Sequence, residues 1–206
     1  MSIATYGELK TAVAKWLQRT NLTTYIPDFI TIAESQIASD LKVREMEKRV
    51  TASISTEYFD IPSDFIEMRN IQLNTSPITR LNYYSPEQMD VYKTDTTAGT
   101  PLFYTIHGSE FQLKPAPDST YTLEMTYWYR PAAFSGDSDT NSILTSYPEI
   151  YLLASCLAAQ PFLADDQRIQ VWATAYTTRV NGLNAKDKHG RYSGSSLRGR
   201  ADVGVE

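Results

Sequence analysis

The chain has 206 residues, 42% of them hydrophobic and 21% charged, which is the balance of an ordinary folded protein with one sizeable core or two small lobes. A net charge of −5 argues against general electrostatic attraction to nucleic acid, and a single cysteine, Cys156, excludes an intrachain disulfide. Fourteen tyrosines against seven phenylalanines and three tryptophans suit sheets and protein interfaces, and also carbohydrate binding.

The first element is a helix over residues 6–19. Thr5 and Glu8 have the spacing of a capping box, and Leu9, Val13, Trp16 and Leu17 follow at helical spacing. After a polar link at 21–25, Pro27 and Asp28 open a second helix whose apolar face is Ile26, Phe29, Ile30, Ala33, Ile37 and Leu41. So short a link predicts an antiparallel helical hairpin.

The period then changes from helical to alternating. Strands are expected at 50–55, 57–61, 65–73 and 78–81, followed by a short helix from Ser85-Pro86 to about Tyr92 and a polar loop at 93–100. Residues 101–107 and 110–114 flank His107-Gly108-Ser109 as a hairpin. Residues 120–130 form the strongest strand, with Tyr121, Leu123, Met125 and Tyr127 on one face. A Ser-, Asp- and Gly-rich loop covers 134–142.

Helical signals return at Tyr147-Pro148-Glu149. Residues 150–159 are apolar almost all round, so that helix is expected to be buried, and Pro161 ends it. Asp165 and Asp166 suit the start of a last helix with Ile169, Trp172, Ala173, Tyr176, Val180 and Leu183 as its apolar stripe. The expected bundle core includes Leu9, Val13, Trp16, Ile30, Ile37, Leu153, Leu157, Trp172 and Tyr176. The fold class is therefore α+β. A helical bundle joins an N-terminal hairpin (1–46) to a C-terminal helix pair (134–185). An antiparallel β-rich lobe (47–133) with a short helix near 86–92 is inserted between them, and an extended arm (186–206) follows.

Catalytic chemistry finds little support. Two histidines, His107 and His189, and one cysteine do not make a usual zinc site. No phosphate loop, dinucleotide fingerprint, calcium loop or nucleophile elbow occurs. His107 reads as an exposed turn residue, and Cys156 as a buried, inert thiol in the most apolar helix. Asp165 and Asp166 are adjacent, so as helix residues they do not face each other for acid–base work. No cofactor or metal is expected. No signal peptide is read at the start, and the most apolar stretch is about half of the roughly 20 residues a membrane helix needs, so no membrane association is expected.

The last 21 residues carry five Lys or Arg against three Asp or Glu, while the remainder carries 14 basic and 21 acidic residues. Arg191, Tyr192, Leu197, Arg198 and Arg200 are spaced among Gly and Ser, with almost nothing to bury alone. Such a segment suits an arm that folds onto a neighbouring subunit or partner.

These residues together resemble a known family, the adaptor (head-to-tail connector) proteins of tailed bacteriophages. The resemblance runs through Thr5-Tyr6-Gly7-Glu8-Leu9-Lys10, Trp16-Leu17, Asn21-Leu22, Ile26-Pro27-Asp28-Phe29-Ile30 and Ala33-Glu34. It continues in Leu41-Lys42-Val43-Arg44-Glu45-Met46-Glu47, Ile61-Pro62-Ser63-Asp64-Phe65, Glu67-Met68-Arg69 and Tyr147-Pro148-Glu149-Ile150-Tyr151. It implies a structural virion protein made in the host cytoplasm and placed at the head–tail junction. It further implies a ring, typically dodecameric, docked on the portal protein, with the arm reaching toward the portal. The β lobe would face a downstream tail protein (nozzle, tail terminator or stopper), and genomic DNA would pass through the channel without sequence-specific binding. An acidic channel wall would let DNA slide without sticking. Three other readings compete: a tail-completion or tail-tube protein, a carbohydrate-binding module built on Tyr127, Trp128 and Tyr129, and a peptidoglycan hydrolase, which would need a workable carboxylate pair.

Overall fold

The computed structural model describes residues 3–91, 97–163 and 166–192. In chain order the elements are α1 (Tyr6–Leu17), α2 (Ile26–Asp40), β1 (Glu47–Ile54), β2 (Tyr58–Asp60), β3 (Phe65–Leu73), β4 (Thr79–Arg80), β5 (Asn82–Tyr83), α3 (Pro86–Val91), β6 (Phe103–His107), β7 (Glu110–Lys114), β8 (Tyr121–Tyr129), α4 (Ser142–Ser146), α5 (Pro148–Ala158) and α6 (Arg168–Tyr192). They divide into two compact units, one of residues 1–45 with 133–206 and one of residues 46–132. Apart from the short α3, the helices lie in the first unit and the strands in the second, so the fold is α+β.

In the helical unit α1 is started by its capping box. The Thr5 hydroxyl accepts from the Glu8 N–H at 3.4 Å, and the Glu8 carboxylate accepts from the Ala4 N–H at 2.7 Å. Gly7 lies hard against the 133–141 loop: a Cβ there would sit 3.2 Å from the Asp137 carbonyl, which accepts the Gly7 N–H at 2.9 Å. α5 is the centre of the unit, packing on α1, α2 and α6. Its residues 150–156 are all buried, as its all-round apolar sequence requires. α1 and α2 touch each other across their short link, and each packs more extensively on α5 than on the other. Leu9, Val13, Ile30, Ile37, Leu153, Trp172 and Tyr176 are all buried. Leu157 is only half-buried.

Trp16 is not core: it remains 43% exposed. Leu9, Val13 and Leu17 take the inward stripe of α1, which leaves Trp16 at its margin. There it leans on Trp172 with ring centres 6.4 Å apart, and its carbonyl accepts from Arg168 at 3.0 Å. The expected loop at 134–142 leads into one more short helix, α4, because the Asn141 side chain caps it by accepting from the Leu144 N–H at 2.9 Å.

Residues 186–192 also depart from expectation: they continue α6 and do not begin an extended arm. The reason is a ladder of polar contacts to the last residue of α2 and the chain just after it. The Tyr176 hydroxyl donates to Asp40 at 3.1 Å. The Asn184 amide N–H donates to the Asp40 carbonyl at 2.9 Å, and its oxygen accepts from the Lys42 N–H at 2.8 Å. Asp187 and Arg191 extend the same side of the helix.

The second unit is two four-stranded sheets, ordered β1-β8-β3-β4 and β2-β7-β6-β5. Ile54, Ile71, Leu73, Leu123, Met125 and Tyr127 of the first sheet share one core with Tyr104, Phe111 and Leu113 of the second. The lobe is antiparallel as expected, with one parallel strand pairing, between β5 and β6. The β6–β7 hairpin turns on Gly108, whose φ of +60° a two-residue turn requires at its first position.

Candidate assembly surfaces

At the C-terminal end of α6, Asp187 is the hub of a charged cluster. It accepts from the Arg44 N–H at 3.1 Å, from the Arg44 guanidinium at 3.2 Å and from Arg191 at 2.6 Å. Burial alone would push this carboxyl up, yet the hydrogen bonds from Arg191 and Arg44 outweigh it and hold the carboxyl below its usual range. Arg44, Glu45, Tyr147, Lys186, Asp187 and His189 wall a pocket of about 450 Å³ beside it. Arg191, assigned to the arm from sequence, is thus part of the helical unit. Tyr192 is the last residue of α6, and Leu197, Arg198 and Arg200 lie outside the described residues.

In the β unit, a groove of about 480 Å³ runs beside β1 and the β2–β3 connection. Val50, Ala52, Phe59, Ile61 and Met125 give it an apolar wall, and Lys48, Asp64 and Tyr127 line it too. Lys48 donates to Asp64 at 2.7 Å and the Tyr127 hydroxyl donates to it at 2.8 Å. Burial raises the Asp64 carboxyl and these two bonds bring it below the ordinary value; burial and the adjoining carboxylate push the Tyr127 hydroxyl well up. The trio is a closed set of partners, with the lysine charge neutralised and the phenol held protonated. On the outer face of the same sheet Arg49 grips Glu124 with two bonds of 2.8 and 2.6 Å.

Cys156 is fully buried, and burial pushes its thiol up to about 12, far from a reactive thiolate. Asp166 precedes α6 and is bound by Arg168 through two side-chain nitrogens and the backbone N–H, which holds its carboxyl down at about 2. Asp165 lies outside the described residues. His107 corrects the expectation of an exposed turn residue: it ends β6 opposite Glu110, half-buried, with Nε2 shielded from solvent. Among the described residues no group of three or more His, Cys, Asp or Glu could hold a metal ion, and no helix is long and apolar enough to cross a membrane.

The rings considered for a sugar-binding platform do not share a surface. Tyr127 is 1% exposed inside the sandwich, and Trp128 and Tyr129, as consecutive strand residues, point to opposite faces. Lys48 sits over the Tyr129 ring at 5.9 Å.

Sequence reasoning missed Asn184 and Asp187. Their signal was present as polar residues at positions continuing the Tyr176–Val180–Leu183 stripe, where an unpartnered polar group would be costly.

Two comparisons with known proteins bear on this arrangement. A search of curated proteins gave no match. A family model described as SU10 adaptor protein matches residues 4–200, nearly the whole chain and both units.

Proposed function

The chain belongs to the SU10 adaptor protein family, a family of phage head-to-tail adaptors, and on that premise we propose that it forms a ring, dodecameric as is typical of such adaptors, docked on the portal. The family is structural, and its members belong to the virion at the head–tail junction. The observation that carries the proposal is the match over residues 4–200. It takes in every helix of the bundle and every strand of the β unit.

In this reading the helical unit packs against neighbouring copies, the arm reaches toward the portal, and the β unit meets the downstream tail protein. Residues beyond Tyr192, with Leu197, Arg198 and Arg200, supply the arm. Genomic DNA passes through the channel, and the acidic balance of the chain, −5 overall, keeps phosphates from adhering to its wall.

Light scattering of the protein alone and mixed with the portal of the same virion tests this. One ring-sized complex containing both proteins is the expected result. A persistent monomer that ignores the portal overturns the docking role.

A further inference from the structure

The two sheets of the β unit end beside each other twice. On one side lie β1 and β2, and on the other β4 and β5, which a single residue, Leu81, joins. Among the described residues no strand pairs with the outer side of any of these four.

The two sides differ in chemistry. Between β1 and β2 runs the groove of about 480 Å³ with its apolar wall of Val50, Ala52, Phe59 and Ile61. Of the three charges that line it, Lys48 and Asp64 neutralise each other, while Asp60 is exposed and has no side-chain partner among the described residues. On the opposite side, residues 78–83 present two large apolar side chains to solvent, Ile78 at 59% and Tyr83 at 53% exposure. Between them in sequence stands Arg80, also exposed and also without a side-chain partner among the described residues. An apolar groove with one unmatched anion is the complement of an apolar pair with one unmatched cation. The two surfaces lie at opposite edges of the same two sheets, so they cannot meet within one chain. A second copy supplies what each of them lacks.

We infer that residues 78–83 of one copy dock in the groove between β1 and β2 of the next, with Ile78 and Tyr83 against its apolar wall and Arg80 beside Asp60. Burial of the two side chains supplies the attraction, and the charge pair sets the register. The two surfaces are different, so the contact is head-to-tail and repeats from copy to copy. That the series closes on itself rests on the ring reading above.

The test uses the full-length chain carrying Asp60→Cys and Arg80→Cys, mixed with the portal of the same virion, treated with a short bismaleimide and run on a denaturing gel. Cys156 is buried and does not compete. A ladder of linked dimers, trimers and larger species, absent from either single variant, is expected. A linked dimer formed by a single variant places like edges together and overturns the proposal. Copies that assemble on the portal yet give no ladder overturn the contact and leave the ring reading standing. A ladder formed by copies that ignore the portal does the reverse, and neither ladder nor assembly overturns both. Charge reversal gives a second measurement at two exposed positions, where substitution leaves the fold as it is. Asp60→Arg alone should weaken association of the copies about fivefold, read by light scattering, and Arg80→Asp added to it should restore the association. No loss, or a loss that Arg80→Asp does not repair, overturns the pairing of Arg80 with Asp60.

Discussion

Asp187 accepts two hydrogen bonds from Arg44 on one carboxylate oxygen, from the backbone N–H at 3.1 Å and from the guanidinium at 3.2 Å. Its other oxygen takes Arg191 at 2.6 Å, one helical turn further on. Two segments about 140 residues apart in sequence are thereby tied at a single side chain, whose own exposure is 8%. This tie, with Asn184 on Asp40 and Lys42, keeps α6 helical to Tyr192.

Asp187→Ala should therefore cost about 1–3 kcal/mol, since it strips the acceptor from a backbone N–H and two guanidinium groups. Thermal unfolding followed by circular dichroism reads the loss. Amide exchange should rise most in residues 184–192, and uniform protection there would show that the cluster does not hold the helix end.

The same carboxyl gives a pH dependence. Its folded-state pKa is lowered relative to the unfolded chain, so its contribution is fully present above the ordinary carboxylate range, near ~4, and is lost as pH falls through the folded value. Asp166, held at about 2 by Arg168, acts in the same direction. The helical unit should lose stability on acidification below about pH 4. Asp187→Asn should flatten that slope, and an unchanged acid titration would contradict the assignment.

Trp16 and Trp172 separate surface from core. Trp172, 6% exposed, should cost about 3–5 kcal/mol when replaced by Ala, whereas Trp16→Ala, at 43% exposure, should cost about 1 kcal/mol. Chemical denaturation of the two variants decides it, and equal losses would place Trp16 back in the core.

Leu153→Asp puts a charge into the buried face of α5 at a cost of several kcal/mol and should unfold the helical unit. Leu157→Asp, at a half-buried position, should leave a folded but weakened protein. Solubility and helical circular dichroism distinguish the two outcomes.

The Cys156 thiol should ignore a water-soluble disulfide reagent at neutral pH and react fully once denaturant unfolds α5. Rapid reaction of the native protein would mean that the helix opens.

How much was legible in the sequence follows from the range of the forces concerned. The capping box at Thr5 and Glu8, the buried α5, the β6–β7 turn at Gly108 and the alternation of β8 are set by residues within a few positions of one another. Period and capping therefore reveal them. The α+β class and the order of elements came from the same local signals. Tertiary structure alone decided four things: the parallel pairing of the short β5, the position of Trp16 at the margin of the α1 stripe, the packing of α1 and α2 chiefly on α5, and the extension of α6 through residues that read as an arm. Each depends on partners far away in sequence. Asp40, Lys42 and Arg44 meet Asn184 and Asp187 only once the bundle has formed, and that meeting stabilises a polar helix end whose sequence offers little to bury.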